Sequence, residues 1–197
     1  LNTPNDLALD LKGRIWFTNP WNAVNIDPSE VEELDNRSVL RADLQADGTY
    51  TTTRVTFDTT MPNGVLVSPD QKTLYVAESN SARLDLDREL RAYPINDDGS
   101  LGPYTVLHTF GKDKNAVHRG IDGMCFDADG NIVATAGWPN GGPGPMIYVF
   151  SPSGRVLETH PVPASNPTNC CFGGPDRSTL YVTSTDGHFF KAETDRV

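Results

Sequence analysis

The sequence has no apolar run near the roughly 20 residues that a membrane-crossing helix requires, so no membrane association is expected and a soluble chain is. Its 16 lysines and arginines are scattered among 26 aspartates and glutamates, giving a formal charge of −10. Nothing forms the basic stripe that a phosphate backbone demands, and nucleic acid is excluded as a partner. No charged-then-apolar segment at the amino terminus reads as a signal peptide, although Leu1 already heads a patterned repeat. Cysteine is scarce. Cys125, Cys170 and Cys171 make no CxxC or His-rich spacing of a zinc site, and neighbours such as Cys170 and Cys171 are poorly placed to pair. All three read as small buried hydrophobes, compatible with a reducing, cytoplasmic compartment. No G-x-S-x-G elbow surrounds any serine, Ser79 and Ser184 at strand ends included. Helical periodicity is almost missing. Only Pro28 to Asn36 (PSEVEELDN), acidic at its start, offers a helical turn or two, and a solvated loop fits it equally.

What is present is repetition. Four segments share one pattern: PND followed by LALDLKGRIWFTN, PNG by VLVSPDQKTLYVAES, IDG by MCFDADGNIVATAG, and TNC by CFGGPDRSTLYVTS. Each holds a short apolar strand, a turn such as Lys12-Gly13 or Asp129-Gly130, and a β-branched, aromatic second strand. In the first three copies a second hairpin follows, with its turn at Asp47-Gly48, Asp98-Gly99 or Ser153-Gly154. Asn5, Asn63, Asp122 and Asn169 recur at intervals of about 58, 59 and 47 residues.

Two hairpins per period make a four-stranded antiparallel unit, the blade of a β-propeller. The chain is expected to be all-β, with residues 1–197 forming a single partial propeller domain of about three and a half blades. A propeller ring needs about four to eight blades, and an open ring leaves sheet edges bare. We therefore expect a fragment, completed by the missing part of the same propeller or by an oligomeric partner.

In a propeller the innermost strands begin near the central channel, so residues at one repeat position converge there. Asn5, Asn63, Asp122 and Asn169 hold that position, with Asp6 one residue along from the first. Carboxylate and amide oxygens suit a hard divalent cation, and no soft ligand accompanies them. Asn and Asp at strand starts also cap turns, and the residues alone leave both readings open. His118 beside Arg119 reads as a loop residue more readily than as a base. Trp16, in RIWFT, reads as core. Trp138, in the loop WPNGGPGP, is the better rim candidate, Trp21 is a further mouth residue, and Asn19 to Asn36 is a candidate lid.

The stretches TPNDLALDLKGRIWFT, PNGVLVSPDQKTLYVAES, GIDGMCFDADGNIVATAG and PTNCCFGGPDRSTLYVTS resemble the family that contains gluconolactonase, senescence marker protein (regucalcin) and luciferin-regenerating enzyme. The resemblance runs along nearly the whole chain. It implies a six-bladed propeller with a divalent cation in its channel, calcium first, with zinc, magnesium or manganese as alternatives. It implies that Asn63 and Asp122 are metal ligands and that Asp122 acts as general base or orients the attacking water. Asn5 would contact substrate or reach the metal through a water, and Asn169 would line the channel; Asp6, by its place beside Asn5, and Trp138, by its loop, are further substrate-binding candidates. A further ligand, a Glu of the family's first blade, falls before Leu1. The Arg that sugar-lactone members of the regucalcin branch carry two residues before the Asn is Thr3 here. The function implied is a metal-dependent lactonase acting on a small lactone. A non-catalytic cation-binding or scaffold propeller is the alternative, and a condensing propeller of the strictosidine-synthase type is a third.

Overall fold

The computed structural model describes residues 1–22, 27, 29, 31–114 and 116–195. Fifteen strands and no helix are found among them. The first sheet runs β1 (Leu7–Leu9), β2 (Ile15–Asn19), β3 (Ser38–Leu44) and β4 (Tyr50–Arg54). The second holds β5 (Pro62–Val67), β6 (Thr73–Ser79), β7 (Arg88–Pro94) and β8 (Thr105–Thr109). In the third are β9 (Ile121–Phe126), β10 (Ile132–Trp138), β11 (Gly141–Phe150) and β12 (Val156–Pro161). The fourth consists of β13 (Pro167–Gly173), β14 (Thr179–Ser184) and β15 (Phe189–Glu193). Each sheet is antiparallel with its strands in chain order. These are propeller blades, as the repeat predicts, and the fourth carries three strands.

Local chemistry sets each blade. At the turn between β1 and β2, Asp10 Oδ1 accepts the backbone N–H groups of Lys12 and Arg14, both at 2.9 Å. Gly13 there adopts φ +77°, which a side chain disfavours. Between β9 and β10, Asp127 Oδ1 does the same for Asp129 and Asn131 at 3.1 and 2.7 Å. The second and fourth blades place Gln71 and Arg177 in the left-handed region instead, with Asp70 and Asp176 accepting the following backbone N–H groups.

The cores lie between blades, because a sheet with one apolar face must bury it on its neighbour. Trp16, Val39 and Val55 of the first blade pack on Val65, Leu74 and Val76 of the second. Leu90 and Phe110 meet Ile121, Met124, Tyr148 and Phe150 at the next seam. Val133, Ile147 and Val149 then meet Cys170 and Val182. Trp16 is core, as its strand predicts, and is 0 % exposed.

Two expectations change. Cys170 is buried and Cys125 half-buried, but Cys171 is exposed, because successive strand residues point to opposite faces. Of the helical alternative for Pro28 to Asn36, positions 28 and 30 lie outside the described residues, and 31–36 form loop. That loop is tied to Asn2, whose side chain accepts from Leu34 N (2.8 Å) and donates to Asn36 O (3.0 Å). Of the lid candidate from Asn19 to Asn36, residues 23–26 also lie outside the described residues.

Candidate functional site at the channel end of the inner strands

The innermost strands are β1, β5, β9 and β13; threonine hydroxyls mark a common register on β1, β9 and β13, and strand pairing sets it on β5. Asp6 N donates to Thr18 Oγ1 at 3.0 Å, Gly123 N to Thr135 Oγ1 at 3.1 Å, and Asn169 N to Thr183 Oγ1 at 3.2 Å. Asp6, Gly123 and Asn169 are thus equivalent, with Gly64 in the same place on β5. One residue earlier stand Asn5, Asn63, Asp122 and Thr168. This corrects the sequence alignment. Asn169 occupies the position of Asp6, because Pro167, not Thr168, matches Pro4 and Pro62. A one-residue slip moves a side chain to the other face of its strand, so Asn169 does not share the outlook of Asn63 and Asp122.

Asp6 and Asn169 are held in matching ways. Asp6 Oδ1 accepts from Leu7 N and Asn169 Oδ1 from Cys170 N, at 2.9 and 2.8 Å. Each reaches toward a neighbouring inner strand. Val65 N donates to Asp6 Oδ2 at 3.1 Å, while the Asn169 amide lies where a Cβ on Gly123 would be, 2.3 Å from its Oδ1. A Cβ on Gly64 would in turn fall 2.5 Å from Asp122 O. Both glycines are therefore required by close approach between inner strands.

Asn63 and Asp122 come together. The Asn63 side chain lies beside the Asp122 carboxylate and favours its ionised form, while its own Oδ1 is buried with no hydrogen-bond partner. Burial pushes the Asp122 carboxyl above its ordinary value, opposed by Arg119 and by Asn63. Asp6 is raised too, by burial against the Val65 and Leu7 N–H groups, with the Asp122 charge adding to the rise. Asn5 is exposed, and its backbone N–H bonds Thr18 O at 3.0 Å.

Arg119 carries no site role in the sequence reading, where it appears only as the neighbour of His118. Its Nη2 donates to Asp122 Oδ2 in a short ion pair, and its Nη1 to Pro167 O at 3.0 Å. The only hint was its place three residues before Asp122. Asn19 was missed as well. It is fully buried at the end of β2, beside the start of β1, with both amide atoms unpartnered.

Other candidates fall elsewhere. His118 Nε2 pairs with Asp113 Oδ1 at 2.9 Å. Ser79 donates its hydroxyl to Ile121 O, and Ser184 donates to Asp186. Trp138 Nε1 donates to Val117 O at 2.9 Å, and its ring lines a cleft of about 340 Å³ with residues 81–84 and Asn140.

Among the described residues no three or more His, Cys, Asp and Glu side chains gather as a metal cluster. The donor set still fits a hard cation in part: a buried amide oxygen lacking any donor stands beside a buried carboxylate, and neither is soft. What the arrangement can do follows from those atoms. It can take a cation or a polarised carbonyl, and it offers a carboxylate whose basicity burial has increased.

A β-propeller with amide and carboxylate groups at the channel end of its inner strands is the class that fold and site define. Within it, the model for the SMP-30/Gluconolactonase/LRE-like region matches residues 1–186, and the chain belongs to that family. It is 32% identical over 190 residues to a gluconolactonase of Zymomonas mobilis, covering 93% of this chain and 48% of that protein. A regucalcin of Xenopus laevis is 35% identical over 123 residues, 62% of this chain and 36% of that one. The solved gluconolactonase of Xanthomonas campestris superimposes with a TM-score of 0.74 at 29% identity, covering 98% of this chain and 58% of that structure. The chain thus spans about half the length of the gluconolactonases it matches.

Proposed function

We propose that this chain carries the greater part of the active site of a divalent-metal-dependent lactonase that opens a small lactone such as a gluconolactone. Kinship with gluconolactonases supports the substrate class. The observation that carries the metal reading is the orphaned, buried Asn63 Oδ1 beside the Asp122 carboxylate. Asn63 and Asp122 would hold the ion. A divalent cation bound there supplies Lewis-acid polarisation of the lactone carbonyl and charge for the developing oxyanion.

The protein's own part is proton transfer and placement. Asp122 takes the proton of the attacking water, and its burial keeps water from weakening that basicity. Asn63, beside the carboxylate, favours its ionised form. Asn5, exposed at the same repeat position, contacts a hydroxyl of the substrate. Asp6, whose carboxyl feels the Asp122 charge, lines the wall beside it, and Asn169 and Trp138 carry no part of the step. A strained cyclic ester, more electrophilic than an amide, suits so modest a base. The non-catalytic cation-binding propeller is the reading this one must displace.

The test is hydrolysis of D-glucono-1,5-lactone after chelator treatment, with and without calcium, zinc, magnesium or manganese. We expect a metal-restored rate, and an Asn63→Ala variant that needs more metal for the same rate. Metal binding without hydrolysis would move the assignment to the binding propeller. An unchanged metal requirement in Asn63→Ala would remove Asn63 from the ligand set.

A further inference from the structure

We infer that Arg119 is a built-in opponent of the cation at Asp122, a fixed positive charge that sets how weakly the site holds a divalent ion. The inference rests on the reading of Asn63 and Asp122 as cation ligands. Arg119 is pinned at both ends. Its backbone carbonyl accepts from Gly137 N at 3.0 Å on β10, and its Nη1 donates to Pro167 O at 3.0 Å at the start of β13. The guanidinium therefore bridges the third and fourth blades, and its Nη2 falls on Asp122 Oδ2. The two side chains are 16% and 17% exposed, so solvent screens the pair only partly.

Asp122 is then shared between two groups of different character. One is a guanidinium that always bears charge, and the other is the Asn63 amide with its unpartnered oxygen. A cation held by Asn63 Oδ1 and Asp122 has a like charge within a few ångströms that cannot retreat without losing the Pro167 carbonyl. The repulsion lowers affinity. In return, the guanidinium neutralises the carboxylate whenever no ion is bound, so the channel end does not carry an uncompensated buried charge. Arg119 is thus a positioning residue that acts through Asp122.

The experiment is calorimetric titration of the chelator-treated full chain with Ca²⁺ and, separately, Mn²⁺, without substrate. It compares wild type with Arg119→Gln, Arg119→Met and Arg119→Lys, folding of each being checked by circular dichroism. Arg119→Met retains much of the aliphatic stem and stands in if the Gln variant does not fold. We expect the neutral variants to bind at least tenfold more tightly, and Arg119→Lys to stay within threefold of wild type because it keeps the charge. Unchanged or weaker binding in the neutral variants overturns the inference, as does tightening in Arg119→Lys equal to theirs. Absence of cation binding in wild type and every variant overturns the ligand reading of Asn63 and Asp122, and this inference with it. Tight wild-type binding that Arg119→Gln leaves unchanged removes only the role given to Arg119.

Discussion

The two ends of the inner hairpins use the same residue type to opposite effect. At the turns, Asp10 and Asp70 are surrounded by donors. Burial would raise Asp10, but Trp16 Nε1, the Arg14 backbone N–H and the Arg14 guanidinium together hold it below its ordinary value. The Ser68 hydroxyl and the Lys72 N–H lower Asp70. At the channel end, burial dominates instead, and Asp6 and Asp122 are both raised. The difference separates carboxylates that hold a turn together from carboxylates free to act on a ligand. A satisfied carboxylate builds the blade, whereas one whose desolvation is only partly offset has interaction capacity to spare.

Substitutions at the two ends should therefore separate activity from stability. The largest effect is expected from Asp122→Asn. It keeps an oxygen for Arg119 but removes the base, and lactone hydrolysis should fall by about 10²–10⁴-fold while the circular dichroism spectrum is unchanged. Wild-type turnover in that variant would end the catalytic role of Asp122.

Asp10→Ala should do the reverse. It strips partners from Arg14 and from the indole of Trp16, and loss of one member of a buried ion pair costs about 3–5 kcal/mol. Denaturant unfolding would measure the loss, and activity per folded molecule should hold. A shift below 1 kcal/mol would make the turn carboxylate dispensable.

The pH dependence sharpens the contrast further. Asp6 is raised in the folded chain, so its ionisation costs stability as pH rises from the ordinary carboxylate value through the folded one. Relative to wild type, Asp6→Asn should gain stability across that window. Asp70 is lowered, so its contribution is present above its ordinary value and is lost as pH falls through the folded one. Asp70→Asn should cost stability near neutrality and little in strong acid. Thermal melts from pH 2 to 8 would show both trends, and parallel curves for the two variants would erase the distinction.

The smallest effect concerns thiols. Cys171 should react with a thiol reagent in the native chain, whereas Cys170, whose Sγ lies 3.8 Å from that of Cys125, should react only on unfolding. The neighbouring Cys125 thiol and then burial also raise the Cys170 pKa, which slows reaction through the thiolate. Equal rates for both would contradict the burial pattern.

Much of this was legible in the residues. Period-2 alternation and Asp-Gly turns gave four repeats, and each of the four sheets falls where a repeat stands. Trp16 announced itself as core through its strand. The repeat position marks Asn5, Asn63, Asp122 and Asn169 alike as hard oxygen donors on an apolar background, and only the family resemblance singles out Asn63 and Asp122. Asn169 was misaligned by one residue. The motif TNC places Asn169 level with Asn63, whereas the pairing of β13 with β14 and the Thr183 hydroxyl bond place it level with Asp6. Cys171 was misread because a local apolar pair does not say which member faces out.

The sequence by itself determined the blade: alternation, turn residues and their period are local properties that each hairpin carries alone. The tertiary structure decided what one blade presents to another. Arg119 reaches Pro167, 48 residues on, and Asp6 reaches Val65, 59 residues on. Contacts at that separation follow from how blades pack, so no local pattern marks them. The charge opposing Asp122, the glycines at Gly64 and Gly123, and the orphaned Asn63 oxygen all belong to that second kind.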